Sequence, residues 1–256
     1  MGKKCIIMGN GPSLNKINIK DLNSIDTFSV NGAFESYEEW GFTPTYHVFV
    51  DGNSIRTLEK EIINLVNTNK GIKHFFYNNS KNEFNFNEIE KDKRVSILTG
   101  FKNHNPNNDY KGKWTLKTIP SKINTLSMFS SVVPFSMQIA ILLGYDEIGL
   151  VGVDVRYIKR NDVKVVGKYN KGPLKGKDKV IFTSDTDPNH YKKNYHGNGH
   201  ITSKAHLNGI VGNNLAPYKT MNDFSKKIGV KIYSCTENSR ANSIYDYIPL
   251  DDFLKK

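Results

Sequence analysis

Four of the chain's seven histidines, His190, His196, His200 and His206, crowd into one stretch, the first three within Asn189-His190-Tyr191 to Tyr195-His196-Gly197-Asn198-Gly199-His200. Imidazole exchanges a proton near neutrality, so such a cluster suits a general base. Two other readings compete: a solvated His/Asn-rich loop, and a zinc site. The first three histidines are spaced by six and four residues, match no familiar zinc pattern and are joined by no cysteine, so no metal is expected. Just upstream, Asp185-Thr186-Asp187 has the Asp-x-Asp form that can hold a divalent ion against a sugar-nucleotide diphosphate. The motif is short and common by chance, and reads better as a solvated turn.

The second constellation is Gly9-Asn10-Gly11-Pro12-Ser13-Leu14, directly after the apolar run Lys4 to Met8. Glycines let backbone approach a ligand, and a helix starting there would favour a phosphate. The spacing is neither a dinucleotide fingerprint nor a P-loop. Two further apolar runs close on polar groups, Asn31 in one case, Asp51 with Asn53 in the other, and a third closes on Gly152-Val153-Asp154. In a doubly wound sheet such carboxyl ends surround one ligand crevice. Asp51 is the better-placed metal candidate should the chemistry be phosphoryl transfer, where it would hold magnesium.

The elements that must position these groups follow from the pattern. Strands are expected at 4–8, 26–30, 46–50, 73–77, 147–151 and 231–234, with strand-like islands at 95–98 and 117–119. Helices are expected at 35–40, 57–66, 132–143 and 214–227, with Gly144 closing the third and residues 248–254 as a tail. Strands alternating with helices give an α/β fold with a mostly parallel sheet and helices on both faces. With 256 residues, one domain over 1–256 is expected, carrying a lid insertion at about 156–206.

Composition narrows the partners. The net charge is +11, and residues 156–180 hold nine Lys/Arg against two Asp, seven of those eleven charges. A basic loop beside a crevice fits a phosphorylated ligand or an anionic membrane better than a DNA-binding face, and no nucleic-acid module is visible. Two distant cysteines argue against a structural disulfide and for a reducing, cytoplasmic setting, with peripheral contact at the inner membrane open. No apolar run is long enough to span a bilayer, and Gly9 to Pro12 cut the N-terminal apolar stretch too early for a signal peptide.

Gly9-Asn10-Gly11-Pro12-Ser13-Leu14, Asn31, Ala140 to Ile148 running into Gly152-Val153-Asp154, and Val230 to Cys235 followed by Asn238-Ser239 together resemble the bacterial lipooligosaccharide sialyltransferases, glycosyltransferase family 42. The same skeleton is similar to a related Rossmann-like group that includes motility-accessory transferases that glycosylate flagellin and hydroxymethyldihydropterin diphosphokinases, a group that Pro44-Thr45-Tyr46 leading to Asp51 resembles more closely. The resemblance implies a Rossmann-like, GT-A-like fold and an inverting, metal-independent transfer from a CMP-linked sugar to a glycan or lipooligosaccharide acceptor. It implies that Gly9, Asn10, Gly11, Ser13, Asn31, Asp51, Asn53, Ser130, Ser131, Gly152 and Asp154 surround the donor. Asp51 stands where the family has an asparagine, and the family's arginine in the serine turn has no counterpart. Tyr157 or Tyr169 of the lid would stabilise the leaving phosphate. His200 best matches the family's base, with His190 and His196 as alternatives. A diphosphokinase using Mg2+ and a non-catalytic nucleotide- or glycan-binding module are the other two expectations, and a homo-oligomer is open.

Overall fold

The computed structural model describes residues 2–78, 87–98, 119–123, 126–127, 131–170, 175–207 and 213–255; the side chains of Asn53, Arg56, Ala205 and His206 lie outside that description. Ser130 and most of the 117–119 island fall outside it as well.

The parallel strands are short apolar runs because both faces of the sheet are covered. They are β1 (Lys4–Met8), β2 (Asp26–Val30), β3 (Tyr46–Phe49), β4 (His74–Asn78), β5 (Val95–Leu98) and β6 (Lys122–Ile123), then β7 (Glu147–Val151), β11 (Lys231–Ser234) and β12 (Asp246–Tyr247). They form one nine-stranded sheet in the order β12-β11-β7-β1-β2-β3-β4-β5-β6. Every neighbouring pair in it is parallel. Chain order reverses between β1 and β7, which opens a crevice at their carboxyl ends. This is an α/β Rossmann-like fold.

The helices are α1 (Tyr37–Trp40), α2 (Gly52–Thr57), α3 (Glu59–Thr68), α4 (Val132–Leu142), α5 (Lys204–Leu207), α6 (Ala216–Lys227) and α7 (Leu250–Lys255). Helix α4 is apolar all round, and Val133 to Leu142 are all buried in the core formed with Ile7, Phe28, Val48 and Phe76. Its one amide, Gln138, accepts a hydrogen bond from Ser127 N (2.8 Å) and donates one to Ser127 O (3.0 Å), so its burial costs little and it ties down the chain leading into the helix. Gly144 follows α4 in the left-handed region (φ +80°), as its C′ position requires.

Four expectations are corrected. The glycine turn opens a five-residue 3-10 helix, Pro12–Lys16, too short to present a helix dipole to a phosphate. The helix expected at 57–66 starts earlier, with α2 beginning at Gly52 immediately after Asp51. The expected tail at 248–254 runs into a helix, α7, whose Phe253 is buried in one cluster with Ile6 and Met8. The basic 156–180 segment is not a loop. It supplies β8 (Val163–Lys168) and the start of β9 (Asp178–Phe182), which with β10 (Ile201–Ser203) form a separate antiparallel sheet in the order β10-β9-β8.

Candidate functional site

A cavity of about 440 Å³ lies at the β1/β7 crevice. Its floor is the expected set of strand ends: Gly9, Asn10 and Gly11 after β1, Asn31 after β2, Asp51 and Gly52 after β3, and Gly152 to Tyr157 after β7. Ser131 and Tyr218 close one side, and His190, Tyr195 and His196 the other.

The glycines serve first to pack two turns together. A Cβ at Gly9 would stand 2.4 Å from Gly152 O, and one at Gly11 would stand 2.0 Å from Asp154 Oδ2. Gly152 has φ +64°, and Gly11 N donates to Gly152 O (2.8 Å). Ser13 does not line the cavity; its hydroxyl donates to Asp154 Oδ2 (2.7 Å), so Asp154 braces the turn from the β7 side. Asn31 takes φ +46°, and its Oδ1 accepts from Val50 N (3.1 Å) and Asp51 N (3.4 Å). It thereby fixes how the end of β3 presents Asp51. The Asp51 carboxylate accepts from Ser54 Oγ (2.8 Å) on α2.

The histidine run is docked on this floor by tyrosines. Tyr191 is buried against Trp40, its N–H donates to Asn10 O (2.9 Å), and its hydroxyl donates to Ser36 Oγ (3.1 Å). Tyr195, which no sequence pattern distinguishes from its neighbours, is the link between the two halves of the site. Its Oη accepts from Asn10 Nδ2 (2.8 Å) and Gly32 N (3.1 Å). Burial pushes its pKa well above the ordinary value, so the phenol keeps its proton and can donate it. Asn10 Nδ2 also reaches Val30 O (3.1 Å), while Asn10 Oδ1 is buried and has no hydrogen-bond partner among the described residues. A buried amide oxygen left this way asks for a donor from a ligand.

Asp187 overturns the solvated-turn reading of Asp-x-Asp. It is 3% exposed. Its Oδ1 accepts from Asn189 N (2.9 Å), and its Oδ2 from His190 Nδ1 (2.8 Å) and His196 N (3.1 Å). Burial alone would raise its pKa, but the hydrogen bond and charge of His190, the Asn189 N–H and the nearby Arg160 guanidinium hold it below the usual carboxylate range. With Nδ1–H given to Asp187, the neutral imidazole of His190, a residue of the cavity wall, has Nε2 as its acceptor. The ring stacks on Tyr195, with centroids 4.2 Å apart.

Arg160, another residue without a sequence signal, is 4% exposed and clamps the lid to this loop. It donates to His196 O (2.6 Å), pairs with Asp162 and lies 3.8 Å from the Phe182 ring. Ile158 and Asn189 exchange hydrogen bonds through the Asn189 side chain (2.6 and 2.9 Å). Tyr157 thus sits over the cavity, its pKa raised by burial and by the charge of Asp187.

Asp187, His190 and His196 also offer three ligand atoms within 4.8 Å of one another. The Asp187 oxygen that would bind a cation already accepts two N–H groups and has Arg160 Nη1 3.9 Å away, which favours the hydrogen-bonded arrangement. His200 does not line the cavity. Its ring packs on Phe182 and on His196, with centroids 5.9 and 4.1 Å apart. Tyr169 sits at the end of the β8–β9 hairpin and is not a lining residue either. Of the described basic residues in 156–180, Arg156 alone lines the cavity; the described lysines there do not.

The fold and this crevice define a Rossmann-like protein with a cavity at the carboxyl ends of a parallel sheet. The chain belongs to the MptE-like family, whose model, described as 6-hydroxymethylpterin diphosphokinase MptE-like, matches residues 1–160. No curated protein matches it in sequence. Among solved structures it is similar to the sialyltransferase CstII from Campylobacter jejuni in complex with CMP-3FNeuAc, with 16% identity over 97% of this chain and 87% of that one and a TM-score of 0.50. It is similar to the monofunctional alpha-2,3-sialyltransferase Cst-I of the same organism, with 18% identity over 96% and 80% and a TM-score of 0.49. It also resembles the MAf glycosyltransferase from Magnetospirillum magneticum AMB-1, with 13% identity over 99% of this chain and 34% of that one and a TM-score of 0.47. Among the described residues no helix is long and apolar enough to cross a membrane.

Proposed function

We propose that the protein is a glycosyltransferase that moves a sugar from a nucleotide-activated, CMP-linked donor to a hydroxyl of a glycan, with inversion and without a metal. The observation that carries this reading is the Asp187–His190 pair, a histidine of the strand-end cavity wall whose Nδ1 is engaged by a buried carboxylate. His190 Nε2 takes the proton of the acceptor hydroxyl, and the freed oxygen attacks the anomeric carbon. The bond from that carbon to the phosphate oxygen breaks, and its electron pair leaves with the nucleotide. Arg156 and the protonated Tyr157 stand where the departing phosphate's charge develops. Asn10, Asn31, Asp51, Ser131 and Tyr195 hold the donor, and the fold shared with the CMP-sugar complex of CstII supports the nucleotide. The role assigned to His200 on resemblance passes to His190, because His190 faces the cavity.

Thermal shift with CMP, followed by release of CMP from CMP-linked sugars in the presence of glycan acceptors, tests the reading. CMP at a hundred times its dissociation constant raises the stability by about 2.7 kcal/mol. His190→Ala keeps that shift and loses turnover; a variant with full turnover removes the reading.

One observation favours a second reading, a diphosphokinase: the Asp51 carboxylate, exposed at the end of a central strand, suits a magnesium-bound triphosphate. ATP with magnesium, and not CMP, would then stabilise the protein, and a chelator would abolish turnover.

A further inference from the structure

The small antiparallel sheet has two unlike faces. Val180, Phe182 and Leu207 are buried together, with Val163 against them, on the face turned to Arg160 and the histidine loop. Side chains alternate across a strand, so Lys179 and Ile181 stand on the opposite face. The register places Lys164 opposite Ile181, and Ile181 opposite Ile201, so a row Lys164–Ile181–Ile201 crosses all three strands on that outer face; beside it Lys179 is half-buried and Ser203 is buried. Among the described residues, the large apolar side chains that stand most exposed are Ile158, Val165, Val166, Ile201 and Tyr247; all but Tyr247 lie in this sheet or just before it. Lys164, Lys168, Lys175 and Lys177 are exposed around them.

We propose that this sheet docks on an anionic lipid bilayer by its outer face and its β8 edge, lysines to headgroups and Ile201 with the bulge residue Val166 into the interface. Charge complementarity fixes the occupant. Lysines spread over a face that also exposes branched apolar side chains suit a surface that is negative and apolar at once, which free phosphate and nucleic acid are not. The β8 edge, carrying lysines and a bulge between Val165 and Gly167, is poorly made for pairing with a second copy. The opposite face of the sheet is clamped to the site through Arg160 and Asn189, so docking would hold the cavity beside the membrane. The inference does not depend on the reaction proposed above, because its test reads binding alone.

The full chain is co-sedimented with vesicles of phosphatidylcholine alone and of phosphatidylcholine with phosphatidylglycerol, at 0.1 and 1 M NaCl. Binding to the anionic vesicles at low salt only is expected, since screening at 1 M confines the attraction to about 3 Å. Each lysine near the surface contributes about fivefold, so Lys164→Glu/Lys177→Glu/Lys179→Glu weakens binding by on the order of a hundredfold, with an unchanged melting midpoint and CMP shift. Val166→Ser/Ile201→Ser, which leaves the charges in place, weakens it too. Equal binding to both vesicle types, none to either, or loss on reversing Lys226 and Lys227 of α6 while the hairpin variants bind normally would each overturn the proposal. Equally tight retention by soluble heparin would overturn it in favour of a polyanion site.

Discussion

Asp187 Oδ2 lies 2.8 Å from His190 Nδ1, in a turn where the same oxygen also accepts the N–H of His196. One buried carboxylate therefore sets both the tautomer of the histidine and the path of the chain around it. Asp187→Asn is expected to keep CMP binding within a few-fold and to lower kcat by about 10²–10⁴, the range that a positioned base contributes. Steady-state kinetics separates the two effects. A fall confined to KM would show that Asp187 serves the donor instead, and partial recovery in Asp187→Glu would support positioning.

Tyr195 joins the two halves of the site through one oxygen. Tyr195→Phe leaves the Gly32 N–H without its acceptor and the Asn10 amide with Val30 O alone, at a cost of about 1–3 kcal/mol. Urea unfolding should show the loss, and calorimetry a weaker CMP affinity, because Asn10 is then held by Val30 O alone. An unchanged affinity would place the donor away from Asn10.

Gly152 has φ +64°, and a Cβ there would stand 2.7 Å from Gly9 O. Gly152→Ala combines left-handed strain with a backbone clash and should destabilise by at least about 2 kcal/mol. Gly144→Ala, also at a positive φ (+80°) but with nothing within 4 Å of the new Cβ, should cost less. Equal urea midpoints for the two would show that packing of the β1 and β7 turns contributes nothing.

Burial lowers the pKa of His47 to about 3 and of His74 to about 4. Both folded values lie below the unfolded value of about 6.5, so the unfolded chain takes up protons first as pH falls. Their contribution is complete above about pH 6.5 and is lost between there and about pH 3 to 4, at up to about 1.4 kcal/mol per pH unit for each histidine. Carboxylates held low, such as Asp26 and Asp162, join only below about pH 4. Urea midpoints between pH 7 and 4.5 should fall in the wild type and fall less steeply in His47→Gln. Parallel curves would mean that His47 is protonated in the folded state.

The floor of the site was legible residue by residue because each part is local. A strand buried on both faces must be a short apolar run, and a turn at its end shows as Gly, Asn or Asp; hence Gly9 to Gly11, Asn31, Asp51 and Gly152 to Asp154 stand where the sequence expects them. The histidine wall was legible only as a composition. In Asn189 to His200 nothing repeats, so no period says which ring faces inward. Tertiary contacts decide it: Tyr191 wedged beside Trp40, Arg160 clamping His196 O, and the buried Asp187 turning His190 to the cavity and leaving His200 against Phe182. The same holds for the positive charge. The sequence determined that it is concentrated in 156–180, but only the tertiary structure decided that, among the described basic residues there, Arg156 alone lines the cavity. Local propensity and burial are written along the chain, whereas side-chain direction in a loop or an edge sheet depends on partners hundreds of atoms away in sequence.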